Sequence, residues 1–231
     1  MRRLVVTANN YTRYKFAYGI DMAMSNTAGL RNRKKEATRQ AISDVATRLF
    51  VERGFESVSV ADIAHEADVS RKTVFNYFAR KEDLVFDREE EVRGLVRDAI
   101  AGRDGRSPIG AFQILMRTLL DRQHPLFRVA DPAAAFWRTV AESPALTTRA
   151  RELQVTFADD LAAMLSEAVG RPSSDPDARL AASMLMATLV VAYGEALRVF
   201  RRRQQPGAAF VTVMERGFAG VDATLIGTPY V

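Results

Sequence analysis

The chain contains no cysteine, and this absence excludes several kinds of chemistry. None of its 231 residues can form a disulfide, attack as a thiolate or bind zinc through sulfur. Its two histidines, His65 and His124, lie outside the spacings that place two metal ligands on one helical face. We therefore predict no metal site and no cofactor, and packing alone must hold the fold.

Long apolar runs are missing as well. The longest, residues 181–192, is interrupted by Ser183 and Thr188 and is shorter than the roughly 20 residues that a membrane span requires. No apolar segment typical of a secretory signal precedes Asn9. The absence of a membrane-spanning segment and of a secretory signal predicts a cytoplasmic protein that has no membrane partner.

The net charge of +5 is unevenly distributed along the chain. Residues 1–40 contain nine Lys or Arg and two acidic residues, a net of +7, so the remaining residues carry 5 − 7 = −2. Clustered cations favour binding to phosphates, because binding releases counterions. The N-terminal part is thus a candidate nucleic-acid-binding end, although a solvated charged tail fits the same composition.

Helical periodicity begins near Arg33. Residues 1–30 lack it, and we interpret them as a disordered extension or a misassigned start. Beyond them, apolar residues recur at spacings of three and four from Ile42 to Phe50. Gly54 suits the left-handed turn that ends many helices. The pattern predicts a first helix that ends just before Gly54.

Two short capped helices follow. Ser59 precedes Asp62 by three residues, which resembles a capping box, and Ser70 is placed to cap another helix that runs to about Phe78. A turn of about three residues separates the two helices. This arrangement is typical of a helix-turn-helix.

The third predicted helix has two chemically different sides. Val74 and Phe78, four residues apart, form an apolar side together with Val69. The opposite side carries cationic and hydrogen-bonding groups, namely Arg71, Lys72, Thr73 and Asn76. Such groups read base edges: Arg or Lys bonds guanine, Asn bonds adenine, and the Thr methyl contacts thymine. The third helix is therefore the predicted recognition helix.

Beyond Lys81 the helical pattern continues, and Gly/Pro clusters separate its segments. The predicted helices span about residues 81–101, 108–123, 132–142, 145–169, 176–203 and 208–225, with a short turn at 125–128. The sequence predicts an all-α fold in three parts. These are the extension (1–30), a three-helix helix-turn-helix DNA-binding domain (31–80) and a helical ligand-binding and dimerisation domain (81–231).

Several ordered motifs lie within residues 37–86: ATRLF (46–50), GF (54–55), SVADIA (59–64), VS (69–70), TVF (73–75), YF (77–78) and KEDL (81–84). As an ordered set they resemble the DNA-binding domain of TetR-family regulators. The resemblance covers about 50 of the 231 residues. Beyond them the chain matches the family only in length, helicity and helix order.

The resemblance implies roles for individual residues. Thr73 would contact a base or phosphate, Tyr77 the DNA backbone and Lys81 a phosphate, while Ser59 and Val60 would open the second helix against a phosphate. The full set of DNA-binding candidates is Lys34, Lys35, Ser59, Val60, Arg71, Lys72, Thr73, Phe75, Asn76, Tyr77 and Lys81.

The sequence departs from the family pattern at two positions. Phe75 stands where the family often has tyrosine, so it cannot make a hydroxyl contact. Asp68 stands where glycine is common, and aspartate tolerates the left-handed turn better than most residues. A role in core packing remains open for Phe75 and Tyr77, as does simple solvation for Arg71 and Lys72.

Large apolar side chains are frequent in the C-terminal part. The candidates for a small apolar ligand are Phe112, Met116, Trp137, Met164 and Tyr193, although core packing explains the same residues. The last two helices are predicted to form a homodimer interface: residues 180–193 are apolar nearly all round, and Val211, Met214, Phe218, Val221 and Leu225 lie on one face. An intramolecular helix pair is the alternative.

Together these features predict a homodimeric repressor that a small apolar ligand releases from a palindromic double-stranded operator. In that scheme the ligand changes the distance between the two recognition helices. The alternative is an all-helical small-molecule-binding enzyme or carrier with a structural N-terminal domain. No catalytic triad order, phosphate-binding glycine loop or metal spacing supports it, so we predict no enzyme activity. A non-specific architectural DNA binder is a second rival.

Overall fold

The computed structural model describes the backbone of residues 27–124 and 131–231 and the side chains of residues 33–124 and 135–231. Within those ranges every regular element is helical, which confirms the predicted all-α fold. The α-helices are α1 (Thr27–Arg53), α2 (Val60–Glu66), α3 (Arg71–Tyr77), α4 (Glu89–Ala101), α5 (Pro108–Asp121), α6 (Asp131–Glu142), α7 (Pro144–Ala168), α8 (Pro176–Arg201) and α9 (Pro206–Thr224).

The start of α1 differs from the predicted boundary between the extension (1–30) and the DNA-binding domain. Residues 27–30, predicted to belong to the extension, are helical, because α1 begins at Thr27. Ala28 and Leu30 favour helix, and the stretch is continuous with the helical residues that follow it. The rest of the predicted extension, and the predicted turn at 125–128, lie outside the described residues.

The first unit of the structure contains α1, α2 and α3. Its core includes Ile42, Leu49 and Phe50 from α1, each no more than 2% exposed. Gly54 then turns the chain with a φ of +83°. Asp68, between α2 and α3, has a φ of +52°. Both left-handed turns were predicted, and the structure confirms them.

The caps of α2 and α3 are also as predicted. The Asp62 amide donates to the Ser59 hydroxyl at 3.2 Å, and the Ser59 amide donates to the Asp62 carboxylate at 2.8 Å. The Ser59 hydroxyl also donates to this carboxylate at 2.6 Å, and the hydrogen bonds from the Ser59 hydroxyl and amide lower the pKa of the Asp62 carboxyl. The Thr73 amide donates to the Ser70 hydroxyl at 3.0 Å. The reciprocal pair and the single cap satisfy amides that have no partner inside their helices.

The predicted helix over residues 81–101 is wrong in its first part. A short 3₁₀ turn covers Glu82–Leu84, and α4 begins only at Glu89. The Arg39 guanidinium donates to the carbonyl of Asp87, and the Ser43 hydroxyl lies 3.3 Å from the carbonyl of Leu84. The Asp87 carbonyl thus accepts a hydrogen bond from an α1 side chain, which competes with helical bonding just before α4.

The first unit includes a segment that the predicted domain boundary left out. It takes in residues 81–87 and the distant segment Ala135–Thr147, whereas Arg88–Ala134 and Thr148–Val231 form the second unit. Val140 is 5% exposed and Leu146 is fully buried in the first core. In the same segment the Ser143 hydroxyl donates to the Glu56 carboxylate at 2.7 Å. Burial of these residues therefore assigns the segment to the first unit.

The second unit is built around a larger apolar core. Phe112 of α5 and Phe218 of α9 meet edge to face, with ring centroids 6.4 Å apart. Arg117 of α5 forms two 2.7 Å hydrogen bonds to the carboxylate of Glu215 on α9. Apolar packing and this bidentate pair together hold α5 against α9.

The burial of residues on α9 corrects the predicted dimer interface. Met214, Phe218, Val221 and Leu225 are each no more than 1% exposed, because they face the core of their own unit. Of the predicted set only Val211 is exposed, at 42%. The intramolecular alternative therefore holds for this face of α9.

Helices α8 and α9 approach each other very closely at Gly217. A Cβ atom added there would lie 2.2 Å from Cγ2 and 2.3 Å from Oγ1 of Thr188. Atoms cannot approach so closely, so Gly217 is required for the helices to pack at this distance. The Thr188 hydroxyl is occupied by its own helix, where it donates to the Met184 carbonyl at 2.8 Å.

We expect Gly217→Ala to lower the free energy of unfolding by about 1–3 kcal/mol, because the added methyl group forces α8 and α9 apart. Chemical denaturation followed by circular dichroism measures the effect. Gly94→Ala in α4 is the control, since a Cβ there meets no atom within 4 Å; it should stabilise by about 0.5–1 kcal/mol. Equal stability of the two variants would contradict the close approach.

Candidate nucleic-acid interface

Helix α3 presents its polar side chains on the surface of the first unit. Val74 is 1% exposed and Phe78, at its C-terminal end, is 2% exposed, so both are packed into the core. Arg71, Lys72 and Asn76 are exposed. The predicted division of the helix into an apolar and a polar side is confirmed.

The side chain of Thr73 has a local partner. It is half-buried, and its Oγ1 lies 2.8 Å from the hydroxyl oxygen of Ser70. The Ser70 hydroxyl therefore both caps the helix and fixes the Thr73 rotamer. The arrangement holds the Thr73 side chain in one orientation before any ligand binds.

The two aromatic residues of α3 differ in their surroundings. Phe75 is 49% exposed, so it is not part of the packed core. Tyr77 is half-buried and packs against the core of the first unit. A role in core packing, the alternative for both aromatic residues, therefore applies in part to Tyr77 and does not apply to Phe75.

Lys81 is held against the loop that follows α1. Its ammonium donates to the carbonyl of Phe55 at 2.6 Å and lies 4.0 Å from the centre of the Phe55 ring. Burial lowers the pKa of this ammonium, while the carboxylates of Glu56 and Glu82 act in the opposite direction. Only one of its three N–H donors is needed for the carbonyl. Lys81 therefore has a structural role that the sequence did not reveal.

The other DNA-binding candidates lie on α1 and at the start of α2. Lys34 and Lys35 are exposed on α1. Ser59 is exposed, with its hydroxyl in the capping box, and Val60 is half-buried against the core. Since α1 contacts α2 and α2 contacts α3, all the candidates belong to one folded unit.

The ligand-binding candidates do not all lie in the same unit. Trp137 belongs to the first unit, where its ring meets Phe136 edge to face with centroids 5.3 Å apart. The prediction that Trp137 lines a site in the C-terminal domain is corrected, because the segment 135–147 packs with α1–α3.

The remaining four ligand-binding candidates lie in the second unit. Phe112 is fully buried and Met116 is 3% exposed. Met164 and Tyr193 are half-buried against the same core, and Tyr193 stacks edge to face on Phe210 at 5.6 Å. A groove of about 530 Å³ in this unit is lined by none of them, but by residues such as Arg103, Arg106 and Ser107.

An uncharged stripe runs along the exposed side of α8. It consists of Leu180, Ser183, Ala187, Val190, Val191 and Gly194, which recur every three or four residues. Leu180 is 45%, Val190 47% and Val191 58% exposed. By length and composition alone α8 resembles a membrane-spanning helix, but Ala181, Leu185 and Ala192 on its other side are fully buried in the core.

The first unit matches a family of regulators. Residues 42–87 fit the family model described as bacterial regulatory proteins, tetR family. This range covers most of α1, all of α2 and α3 and the 3₁₀ turn. The match therefore includes the exposed polar side of α3.

Two curated relatives are transcriptional regulators of the helix-turn-helix type. TcmR of Streptomyces glaucescens is 32% identical over 98 residues, which are 42% of this chain and 43% of TcmR. AcrR of Shigella flexneri is 46% identical over 56 residues, which are 23% of this chain and 26% of AcrR. The chain thus spans less than half the length of each of these relatives.

Solved structures resemble a larger part of the chain. NalD, described as the secondary repressor of a multidrug efflux pump in Pseudomonas aeruginosa, has a TM-score of 0.53 at 20% identity over 80% of this chain and 97% of its own. SmeT of Stenotrophomonas maltophilia, bound to triclosan, has a TM-score of 0.52 at 18% identity over 80% and 91%. At these identities the likeness shows a shared fold.

Proposed function

We propose that the chain is a homodimeric transcriptional repressor of the TetR family that binds a palindromic operator, since residues 42–87 fit that family's model and the curated relatives are transcriptional regulators. One observation carries the proposal. Helix α3 buries Val74 and Phe78 and leaves Arg71, Lys72 and Asn76 exposed, so its polar side is available to base edges.

The DNA contacts that we propose divide into two classes. Arg71, Lys72, Thr73 and Asn76 read bases, and the two cations set operator preference. The remaining candidates position the protein on the phosphate backbone; these are Lys34, Lys35, Ser59, Val60, Phe75, Tyr77 and Lys81. Lys81 combines two tasks, since an ammonium bound to the Phe55 carbonyl retains donors for a phosphate.

Dimerisation places two such units on one duplex. The uncharged stripe of α8 supports this part of the proposal, because exposed apolar residues at helical spacing favour a partner helix. Val211 on α9 is another exposed apolar residue, at 42%. In the dimer that we propose, the stripe of one chain packs against the same stripe of a second copy, which is related to the first by two-fold symmetry.

The inducing ligand that we propose is a small apolar molecule bound in the second unit near Phe112, Met116, Met164 and Tyr193. Two structures of similar fold contain ligands with large apolar parts, SmeT with triclosan and FadR of Thermus thermophilus with lauroyl-CoA. FadR has a TM-score of 0.50 at 22% identity over 79% of this chain and 94% of its own. Ligand binding favours one conformation of the dimer and so lowers its operator affinity.

The proposed role is regulation without catalysis, in the cytoplasm where the chromosome lies. Among the described side chains no three His, Asp or Glu residues are grouped to hold a metal ion. The enzyme or carrier alternative has no specific support from the comparisons, which are with regulators.

Selection of genomic DNA fragments by the purified full-length protein tests the proposal. We expect enrichment of an inverted repeat whose half-site centres lie about 10 base pairs, or a multiple of that distance, apart. Binding to the enriched duplex should exceed binding to shuffled DNA by at least about 1,000-fold at physiological salt. Retention of all fragments alike would instead support a non-specific architectural binder.

A further inference from the structure

Arg39 on α1 links the end of the recognition helix to the point where the chain leaves the first unit. Its guanidinium carbon lies 4.9 Å from the centre of the Phe78 ring, and Phe78 is the residue that ends α3. Its Nη1 atom donates to the carbonyl of Asp87 at 2.8 Å. Asp87 is the last residue of the unit before the chain continues to α4.

Ser43, one turn further along α1, strengthens the same link. Its hydroxyl oxygen lies 2.5 Å from a carboxylate oxygen of Asp87 and is fully buried. A hydroxyl has one proton, which the nearer carboxylate accepts. Asp87 is thus held to α1 through both its backbone and its side chain.

The geometry suits an arginine better than a lysine. A planar guanidinium can stack on an aromatic ring while its edge donates to a carbonyl in the same plane, whereas an ammonium is a compact point charge. Arg39 also lies 3.7 Å from the Glu36 carboxylate, but the Glu36 side chain is 68% exposed, so solvent screens the pair and it contributes little. The two contacts that matter are therefore those with Phe78 and Asp87.

We propose that Arg39 is a positioning residue for operator recognition. It fixes α3 relative to the exit of the chain at Asp87, and so determines which half-site spacing a dimer accepts. This inference rests on the proposed function, because spacing has meaning only for a dimer on a two-part operator. Arg39 acts through Phe78 and Asp87 and contacts no DNA.

A simple phosphate contact by Arg39 makes a different prediction. In a two-fold dimer, removal of one phosphate contact per half-site lowers the magnitude of the slope of log K against log salt concentration by about 1.8, that is, by about 0.9 for each contact. A positioning residue leaves that slope unchanged and alters the preference among spacings. The two roles are therefore separable in one set of titrations.

The experiment uses the full-length protein and the duplex enriched by fragment selection, together with duplexes in which the half-sites are moved by one or two base pairs. Each base pair moves a half-site by about 3.4 Å along the axis. Arg39→Ala, Arg39→Gln and Arg39→Lys are compared with the wild type. Lys35→Ala is the contrast, because Lys35 is exposed on the same helix and is a proposed phosphate contact.

We expect Arg39→Ala and Arg39→Gln to reduce the affinity ratio between the native and shifted spacings by about tenfold, at an unchanged salt slope. Arg39→Lys should restore the ratio only in part. Lys35→Ala should lower the magnitude of the salt slope by about 1.8, because one phosphate contact is lost at each half-site, and it should leave the ratio between spacings intact. Circular dichroism identifies any variant that fails to fold, and Arg39→Lys and Arg39→Gln keep the inference testable if Arg39→Ala does.

Two results would overturn the inference while leaving the proposed function standing. One is a wild-type spacing ratio in all folded Arg39 variants, and the other is a reduced salt slope in Arg39→Gln. A wild-type protein without any sequence preference would overturn the proposed function and, with it, this inference.

Discussion

Replacing Arg71 and Lys72 together by alanine is expected to lower operator affinity by at least about 100-fold while leaving the fold and the oligomeric state unchanged. Both side chains are exposed on α3 and neither supports the core. A good base contact contributes about 1–3 kcal/mol of discrimination, and in a two-fold dimer each substitution removes its contact from both half-sites. Fluorescence anisotropy with the enriched duplex measures the reduction in affinity.

The control for this variant removes two cations elsewhere. Arg97 and Arg151 are exposed on α4 and α7 of the second unit. Their joint replacement by alanine makes the same change in net charge, so it accounts for long-range electrostatic effects. We expect near wild-type affinity for the control. Equal reductions in the two double variants would show that net charge, and not the polar side of α3, determines binding.

The second large effect is expected from Val191→Glu, which should dissociate the dimer. Val191 belongs to the exposed stripe of α8 and, at 58% exposed, is more exposed than Leu180 or Val190. Two-fold symmetry would bury two carboxylates in an apolar interface, and a buried unpaired charge is strongly unfavourable. Light scattering should give the mass of one chain, 25.7 kDa, in place of twice that mass.

Loss of the dimer should also weaken operator binding by about 100-fold or more, because the second half-site is no longer bound intramolecularly. Val155→Glu is the matched control, since Val155 on α7 is 63% exposed and lies outside the stripe. It should remain dimeric. If Val155→Glu dissociates and Val191→Glu does not, the interface lies on α7 and the proposed stripe is wrong.

The helix-turn-helix could be predicted in detail because its signals are local. The capping box of Ser59 and Asp62 depends on a spacing of three residues, and the turns at Gly54 and Asp68 depend on single residues that tolerate positive φ. Val74 and Phe78 were placed inward by helical periodicity alone. Each of these features is determined within about one helical turn.

The contacts that the sequence missed join residues far apart in the chain. The hydrogen bonds from Arg39 to Asp87 and from Ser143 to Glu56 span 48 and 87 residues. No spacing rule connects such pairs, and the residues involved are of types common on any helix surface. The assignment of Trp137 failed for the same reason, because nothing in its neighbourhood indicates which core it joins.

The composition and periodicity of the chain alone determined that it is helical, that its third helix is amphipathic and that its last helix has an apolar face. Only the tertiary structure decided that Met214, Phe218 and Val221 pack within their own unit and that the exposed apolar stripe lies on α8. The reason is that burial removes the same apolar area from water whichever surface covers it. A pattern of hydrophobic residues therefore identifies a buried face but not its partner.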